Sequence, residues 1–341
     1  MDRKILKTAA LGTLLGKLQA AGQRLVGPVD RDGAWRFVEM AKPPTALPDY
    51  VQTVGGAKPL LFPRYETLLS YQQAGREVTI DDTLTPAKPT VLFGVRPCDA
   101  AAVRVLHGVL TWDSPDPHFE SKQAALTVIG LSCTTADEFC FCTSVGGGPG
   151  ATAGSDLLLT PLPGEQLLVE VLTDKGQAVV AAAPELFTAA EAAATTSKEA
   201  ALATVPARFD AKALAGKLPK LFDQPLSWLA QSARCLGCGA CAFVCPTCTC
   251  FDIQPERGRD RGVHQRCWDA CGLSLFTLHA SGHNPRTKQS ERWRQRVMHK
   301  FAYQPERLGL VGCVGCGRCS RSCPVDMNLA EHVQALAETT V

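Results

Sequence analysis

The stretch CLGCGACAFVCP, residues 235–246, is matched in spacing by CVGCGRCSRSCP, residues 313–324. Both read C-x2-C-x2-C-x3-C-P. Three closely spaced thiolates wrap one corner of an iron–sulfur cubane, and the glycines between them let the backbone turn around it. The fourth cysteine of each run points away and serves the other cluster. The expected ligand sets are Cys235, Cys238, Cys241 and Cys323 for one [4Fe–4S] cluster, and Cys313, Cys316, Cys319 and Cys245 for a second. A single C-x2-C would leave zinc open; two complete runs with a trailing proline argue against it.

Between the runs lies a long insertion, residues 247–312, which a compact two-cluster module lacks. It carries TCTCFD and RCWDACG, and thus Cys248, Cys250, Cys267 and Cys271. These four are candidates for a further cluster or a metal ion, against the plainer reading of buried thiols packed beside the clusters. The segment 283–300 holds six Lys or Arg and one Glu. It reads as a solvated helix face, or as positive charge set against thiolate-bound clusters or an acidic partner. His264, His279, His283 and His299 are weaker candidates, since lone histidines are mostly surface or core residues.

Upstream, LSCTTADEFCFCTSVGGGPG at 131–150 puts Cys133, Cys140 and Cys142 within ten residues. Three thiols are one short of a complete set. The one earlier cysteine, Cys98, follows the apolar run TVLFGV at 90–95, and Cys133 follows a second, ALTVIGL, at 125–131. If those runs are neighbouring strands, both thiols leave the same sheet edge. Cys98, Cys133, Cys140 and Cys142 then make a third four-thiolate set, beside which SVGGGPG allows close approach of backbone amides. Free structural cysteines or a zinc site are the alternatives.

The surrounding pattern sets the fold expectation. Residues 1–23 read as one amphipathic helix, and 24–40 as two strands about the turn Asp30–Gly33. Residues 43–62 are proline-rich and irregular. Asp99 is a candidate N-cap for the helix that follows TVLFGV. Two more strands flank Pro163-Gly164, one or two helices follow in 178–204, and 205–225 looks like a linker. The whole predicts an α/β N-terminal domain, residues 1–225, with an irregular cluster-binding loop. An α-helical dicluster ferredoxin-like module, residues 226–341, follows it.

The chain has 341 residues, 16 cysteines and a net charge of +2. Near neutrality argues against a nucleic-acid partner. Lys7 and Lys17 interrupt the apolar N-terminus, which suits neither a membrane span nor a secretory signal. The expectation is a cytoplasmic protein whose thiols bind metal rather than form disulfides. There is no GxGxxG after a strand, and GGGPG at 146–150 lacks the Lys-Ser/Thr of a phosphate loop.

The motifs GVRPCD (94–99) and CFCTSVGGGP (140–149) carry a family resemblance. So do CPTCTCFDI (245–253), WDACG (268–272), HASGHNPR (279–286) and GCVGCGRCSRSCPVD (312–326). They resemble the iron–sulfur beta subunit of cytoplasmic sulfhydrogenases, the NAD(P)-linked [NiFe] hydrogenases, and are similar to the A subunit of anaerobic sulfite reductase. The likeness covers nearly all of the chain after about residue 50. It implies a non-catalytic electron-transfer subunit with three [4Fe–4S] clusters and a candidate fourth. The implied partners are a flavin/[2Fe–2S] NAD(P)H-linked subunit and a hydrogenase or other catalytic subunit. The family pattern lacks a cysteine at Cys267, so this chain adds one there. The alternatives are a relay in a sulfite reductase or heterodisulfide-reductase-type bifurcating complex, or a cluster-based catalytic subunit acting on disulfide or sulfur substrates.

Overall fold

The computed structural model describes residues 2–340. In chain order it begins with β1 (Asp2–Lys7), α1 (Leu11–Ala20), β2 (Arg24–Arg31), β3 (Ala34–Glu39), β4 (Tyr65–Ala74) and β5 (Glu77–Asp81). Next come β6 (Thr90–Val95), α2 (Pro97–Leu110), α3 (Pro117–Ala125), β7 (Leu126–Leu131), β8 (Leu157–Leu162) and β9 (Gln166–Val171). Then follow α4 (Asp174–Ala181), β10 (Phe187–Ala189), α5 (Ala193–Ala201), α6 (Ala211–Leu221), α7 (Pro225–Ser232) and α8 (Ala240–Phe243). The last part holds β11 (Phe251–Arg257), β12 (Arg261–Trp268) and α9 (Gln289–Met298), which runs into a π-helical turn, His299–Tyr303. It ends with α10 (Gln304–Leu308), α11 (Arg318–Arg321) and α12 (Leu329–Glu338).

An eight-stranded sheet in the order β10-β1-β9-β8-β7-β6-β2-β3 forms the first core. Its middle, β2, β6, β7 and β8, is parallel, and the flanking pairs are antiparallel. All of β6 and all but one residue of β7 are buried, as strands covered on both faces require. Alternation sorts their side chains. Val91, Phe93, Ile129 and Leu131 meet Leu11, Leu14, Leu15 and Leu18 of α1, which recur at helical spacing. Leu92, Val95 and Val128 meet Ala100, Leu106 and Leu110 of α2 on the opposite face.

A separate core unites α6, α7, α9 and α12 around Leu214, Leu218, Trp228, Trp293, Val297 and Val333, and Phe141 of the upstream cysteine loop is buried in it. A second sheet, β11-β12-β4-β5, joins the insertion's hairpin to the hairpin at 65–81.

Several local expectations differ from the structure. Residues 2–7 form a strand rather than the start of a helix, because β1 is paired on both sides, with β9 and β10. The stretch read as a linker contains α6. Asp210 caps it by accepting from the amides of Lys212 and Ala213. Pro219 is tolerated inside it near its C-terminal end. Asp99 is not the N-cap of α2; Arg96 holds that position with Pro97 at N1, and Asp99 lies buried in the first turn. The hairpins at 65–81 and 251–268 were not foreseen as strands.

Candidate metal centres

The two cysteine runs fold alike. Gly237 and Gly239 have φ of +69° and +75°, and Gly315 and Gly317 have φ of +65° and +70°. These left-handed turns reverse the backbone between cysteines. One cavity is lined by Cys235, Cys238, Cys241 and Cys323. A neighbouring one is lined by Cys245, Cys313, Cys316 and Cys319. Each run thus sends its last cysteine to the other run's first three. Of the sixteen cysteines, only Cys238 is exposed.

The upstream four also come together. β6 and β7 are adjacent and parallel, so Cys98 and Cys133 leave the same sheet edge. Burial pushes the Cys133 thiol up to about 12, and Cys142 and Cys140 add to it. Burial raises Cys98 as well, with Asp99, Cys316 and Cys133 contributing. Gln52 Nε2 donates to Cys98 Sγ at 3.3 Å. Arg321 Nη2 approaches Cys140 Sγ at 3.6 Å and pairs with Asp137. Buried thiols of this kind become thiolates only when a metal takes the proton's place.

The loop 139–142 and the second run are interlocked. Phe141 N donates to Gly315 O at 2.9 Å. A Cβ on Gly315 would lie 2.5 Å from the Cys142 backbone, and one on Gly317 would lie 2.5 Å from Phe139 O. Arg318, between Cys316 and Cys319, is buried and donates to both carboxylate oxygens of Asp99. It also donates to Thr53 O at 2.9 Å and to Thr53 Oγ1 at 2.7 Å. Sequence reading missed this lock: an arginine between ligands and an aspartate after one carry no signal of pairing across 219 residues.

In the insertion, Cys248, Cys250 and Cys271 line one cavity. Cys250 lies near Cys271, and Cys248 lies near both Cys245 and Cys271. Cys267 is apart from them, on β12 opposite Asp252 and Tyr65, where Glu256 and Asp252 are its charged neighbours. His264 is also on β12, and His279 and His283 are exposed in a turn. His299 lines the thiol cavity.

Two cations test whether the thiols fit clusters. Arg296 and Lys300 are 4% exposed. Arg296 Nη1 donates to Cys248 Sγ at 3.3 Å, and Nη2 to Cys241 O at 3.0 Å. Lys300 Nζ donates to Thr247 Oγ1 and Gly312 O, both at 2.8 Å. The groups that favour their charge are thiols: Cys241, Cys248, Cys319 and Cys245 for Arg296, and Cys245, Cys248 and Cys313 for Lys300. Buried charge without a counter-charge is strongly unfavourable, and thiolate-ligated clusters supply negative charge here. Among the described residues, no three Cys, His, Asp or Glu side chains converge on a point as a single ion requires. The thiol sets beside these two cations fit a group that carries negative charge, as an iron–sulfur cluster does.

Residues 234–327 match the 4Fe-4S dicluster domain family. Sulfhydrogenase 2 subunit beta of Pyrococcus furiosus is 32% identical over 320 residues, covering 92% of this chain and 92% of that protein. No solved structure matches the chain. Among the described residues, no helix is long and apolar enough to cross a membrane.

Proposed function

The chain belongs to the family of sulfhydrogenase beta subunits, an iron–sulfur electron-transfer subunit, and we propose that it relays electrons between a flavin NAD(P)H-linked subunit and a [NiFe] hydrogenase subunit. When bound, [4Fe–4S] clusters supply one-electron transfer at potentials that their surroundings set. Three sets of residues would hold them: Cys235, Cys238, Cys241 and Cys323; Cys313, Cys316, Cys319 and Cys245; and Cys98, Cys133, Cys140 and Cys142.

The observation that carries this reading is the contiguity of the sets. Cys98 and Cys142 lie close enough to Cys316 for charge to be felt between them, and Cys319 borders both ferredoxin-type cavities. A continuous line of thiol sites through a buried interior serves transfer between two surfaces rather than chemistry at one. The protein's own residues keep that line dry and in register. Arg318 ties Asp99 to the second run, Arg321 ties Asp137 to it, and Arg296 and Lys300 supply buried positive charge beside the thiols. The chain carries no nucleotide-phosphate motif, so NAD(P)H would act through a partner.

The test is reduction of the purified chain under anaerobic conditions. Dithionite should bleach its visible absorption, whereas NAD(P)H should do so only after a flavoprotein partner is added. Bleaching by NAD(P)H alone would overturn the relay reading.

A further inference from the structure

The cavity at the insertion has features that an electron relay does not need. Its volume is about 500 Å³, the size of a small-molecule site. One wall carries Cys248, Cys250 and Cys271, which together are one thiolate short of a complete cubane set. The lining also carries Arg296, whose Nη1 donates to Cys248 Sγ at 3.3 Å, together with Lys300, Arg307 and His299. No Asp or Glu lines it. Arg296 Nε is buried and has no hydrogen-bond partner. Part of this lining is the π-helical turn His299–Tyr303, and such irregular turns are frequent at functional sites.

We propose that Cys248, Cys250 and Cys271 hold a further [4Fe–4S] cluster whose fourth iron faces this cavity and binds a small anionic ligand. Cys267 takes no part, because it stands on β12 outside the cavity. The cationic lining selects an anion. Thiolate-bound iron favours a soft donor atom such as sulfur or carbon over a carboxylate oxygen. The site opens between α9 with its π-helical extension and the loop after Pro246, so a small solute can reach it without parting the interlocked ferredoxin-type sites. The inference extends the relay reading by adding a point where an external molecule meets the chain's iron.

The experiment uses the full chain, purified anaerobically, with cyanide as the probe anion. Iron is counted in the unaltered protein and in Cys248→Ser, Cys271→Ser and Cys267→Ser. The expected result is a loss of about four irons per chain in the first two and none in Cys267→Ser. Cyanide should alter one electron paramagnetic resonance signal of the reduced protein. That response should be absent in Cys271→Ser. In Arg307→Gln it should need roughly tenfold more cyanide, as expected for about 1.4 kcal/mol of lost anion attraction, at unchanged iron content.

Equal iron in all four proteins would overturn the proposal, as would iron loss in Cys267→Ser. A cyanide-insensitive spectrum of the unaltered protein would overturn it even if the serine variants did not fold. Each of these failures leaves the relay reading standing, because that reading rests on the other twelve cysteines and on bleaching by reductants.

Discussion

Arg318 and Asp99 form a buried ion pair, each at most 2% exposed, that joins the residue after Cys98 to the residue before Cys319. Both guanidinium nitrogens of the end group engage the carboxylate, so the pair fixes orientation as well as distance. It sets the upstream cysteine loop against the second ferredoxin-type run. Removing one partner leaves a buried, unpaired charge. Asp99→Asn should therefore destabilise the chain by about 3–5 kcal/mol. Asp99→Leu combined with Arg318→Met should cost less than the sum of the single changes. Denaturant titration of the unaltered protein and of these variants checks both statements, and strict additivity would show that the pair is not coupled.

Gly315 meets two demands at once. Its φ is +65°, and a Cβ there would strike the Cys142 backbone. Gly33 has φ of +77° with nothing within 4 Å. Gly33→Ala should cost only about 1–2 kcal/mol. Gly315→Ala should cost more, by a further ~1–3 kcal/mol of overpacking, and should disturb both the 313–319 and the 140–142 thiols. Similar melting temperatures for the two variants would show that the 139–142 loop yields freely.

Crossed ligation is testable by pairing variants. Cys245→Ser and Cys316→Ser should perturb one electron paramagnetic resonance signal, and Cys235→Ser and Cys323→Ser another. Grouping by sequence run, with Cys245 among 235–241, would contradict the arrangement of the two cavities.

The upstream set predicts that Cys98→Ser behaves like Cys133→Ser. Each should lower iron by about four per chain and leave the signals of the ferredoxin-type pair in place. Full iron in Cys98→Ser would mean that the Cys133 loop does not draw its fourth ligand from the end of β6.

Lys300 contributes a buried positive charge beside Cys245, Cys248 and Cys313. A positive charge favours the reduced, more negative state of a nearby cluster. A unit charge at about 10 Å, with an effective dielectric constant of about 20, contributes roughly 1.7 kcal/mol. One-electron couples shift by about 59 mV per tenfold change in equilibrium. Lys300→Met should then lower the nearest midpoint potential by on the order of 70 mV. Lys17→Met, far from the thiols and paired with Glu185 at the surface, should leave all potentials unchanged. An unmoved or raised potential in Lys300→Met would contradict the assigned role.

The ferredoxin-type pair was legible because ligand spacing is a local property: three thiolates within seven residues can meet one cubane whatever surrounds them. The neighbouring strands TVLFGV and ALTVIGL were legible too, since unbroken apolar runs suit a sheet covered on both faces. From those two readings the meeting of Cys98 with Cys133 followed. What local pattern could not carry was anything settled by distant pairing. Residues 2–7 became a strand because two neighbours supply its hydrogen bonds. The insertion's hairpin found its partner in 65–74, almost 200 residues earlier.

The sequence by itself therefore pointed to the cluster chemistry, through spacing to the interleaved cysteines that line the two cavities, and through strand order to the meeting of Cys98 with Cys133. Tertiary structure alone decided that Cys267 stands apart from Cys248, Cys250 and Cys271, that Asp99 pairs with Arg318, and that Arg296 and Lys300 lie buried among thiols. The physical reason is that a charged side chain is read from sequence as surface. Only the assembled interior, with thiols clustered around it, makes a buried cation favourable.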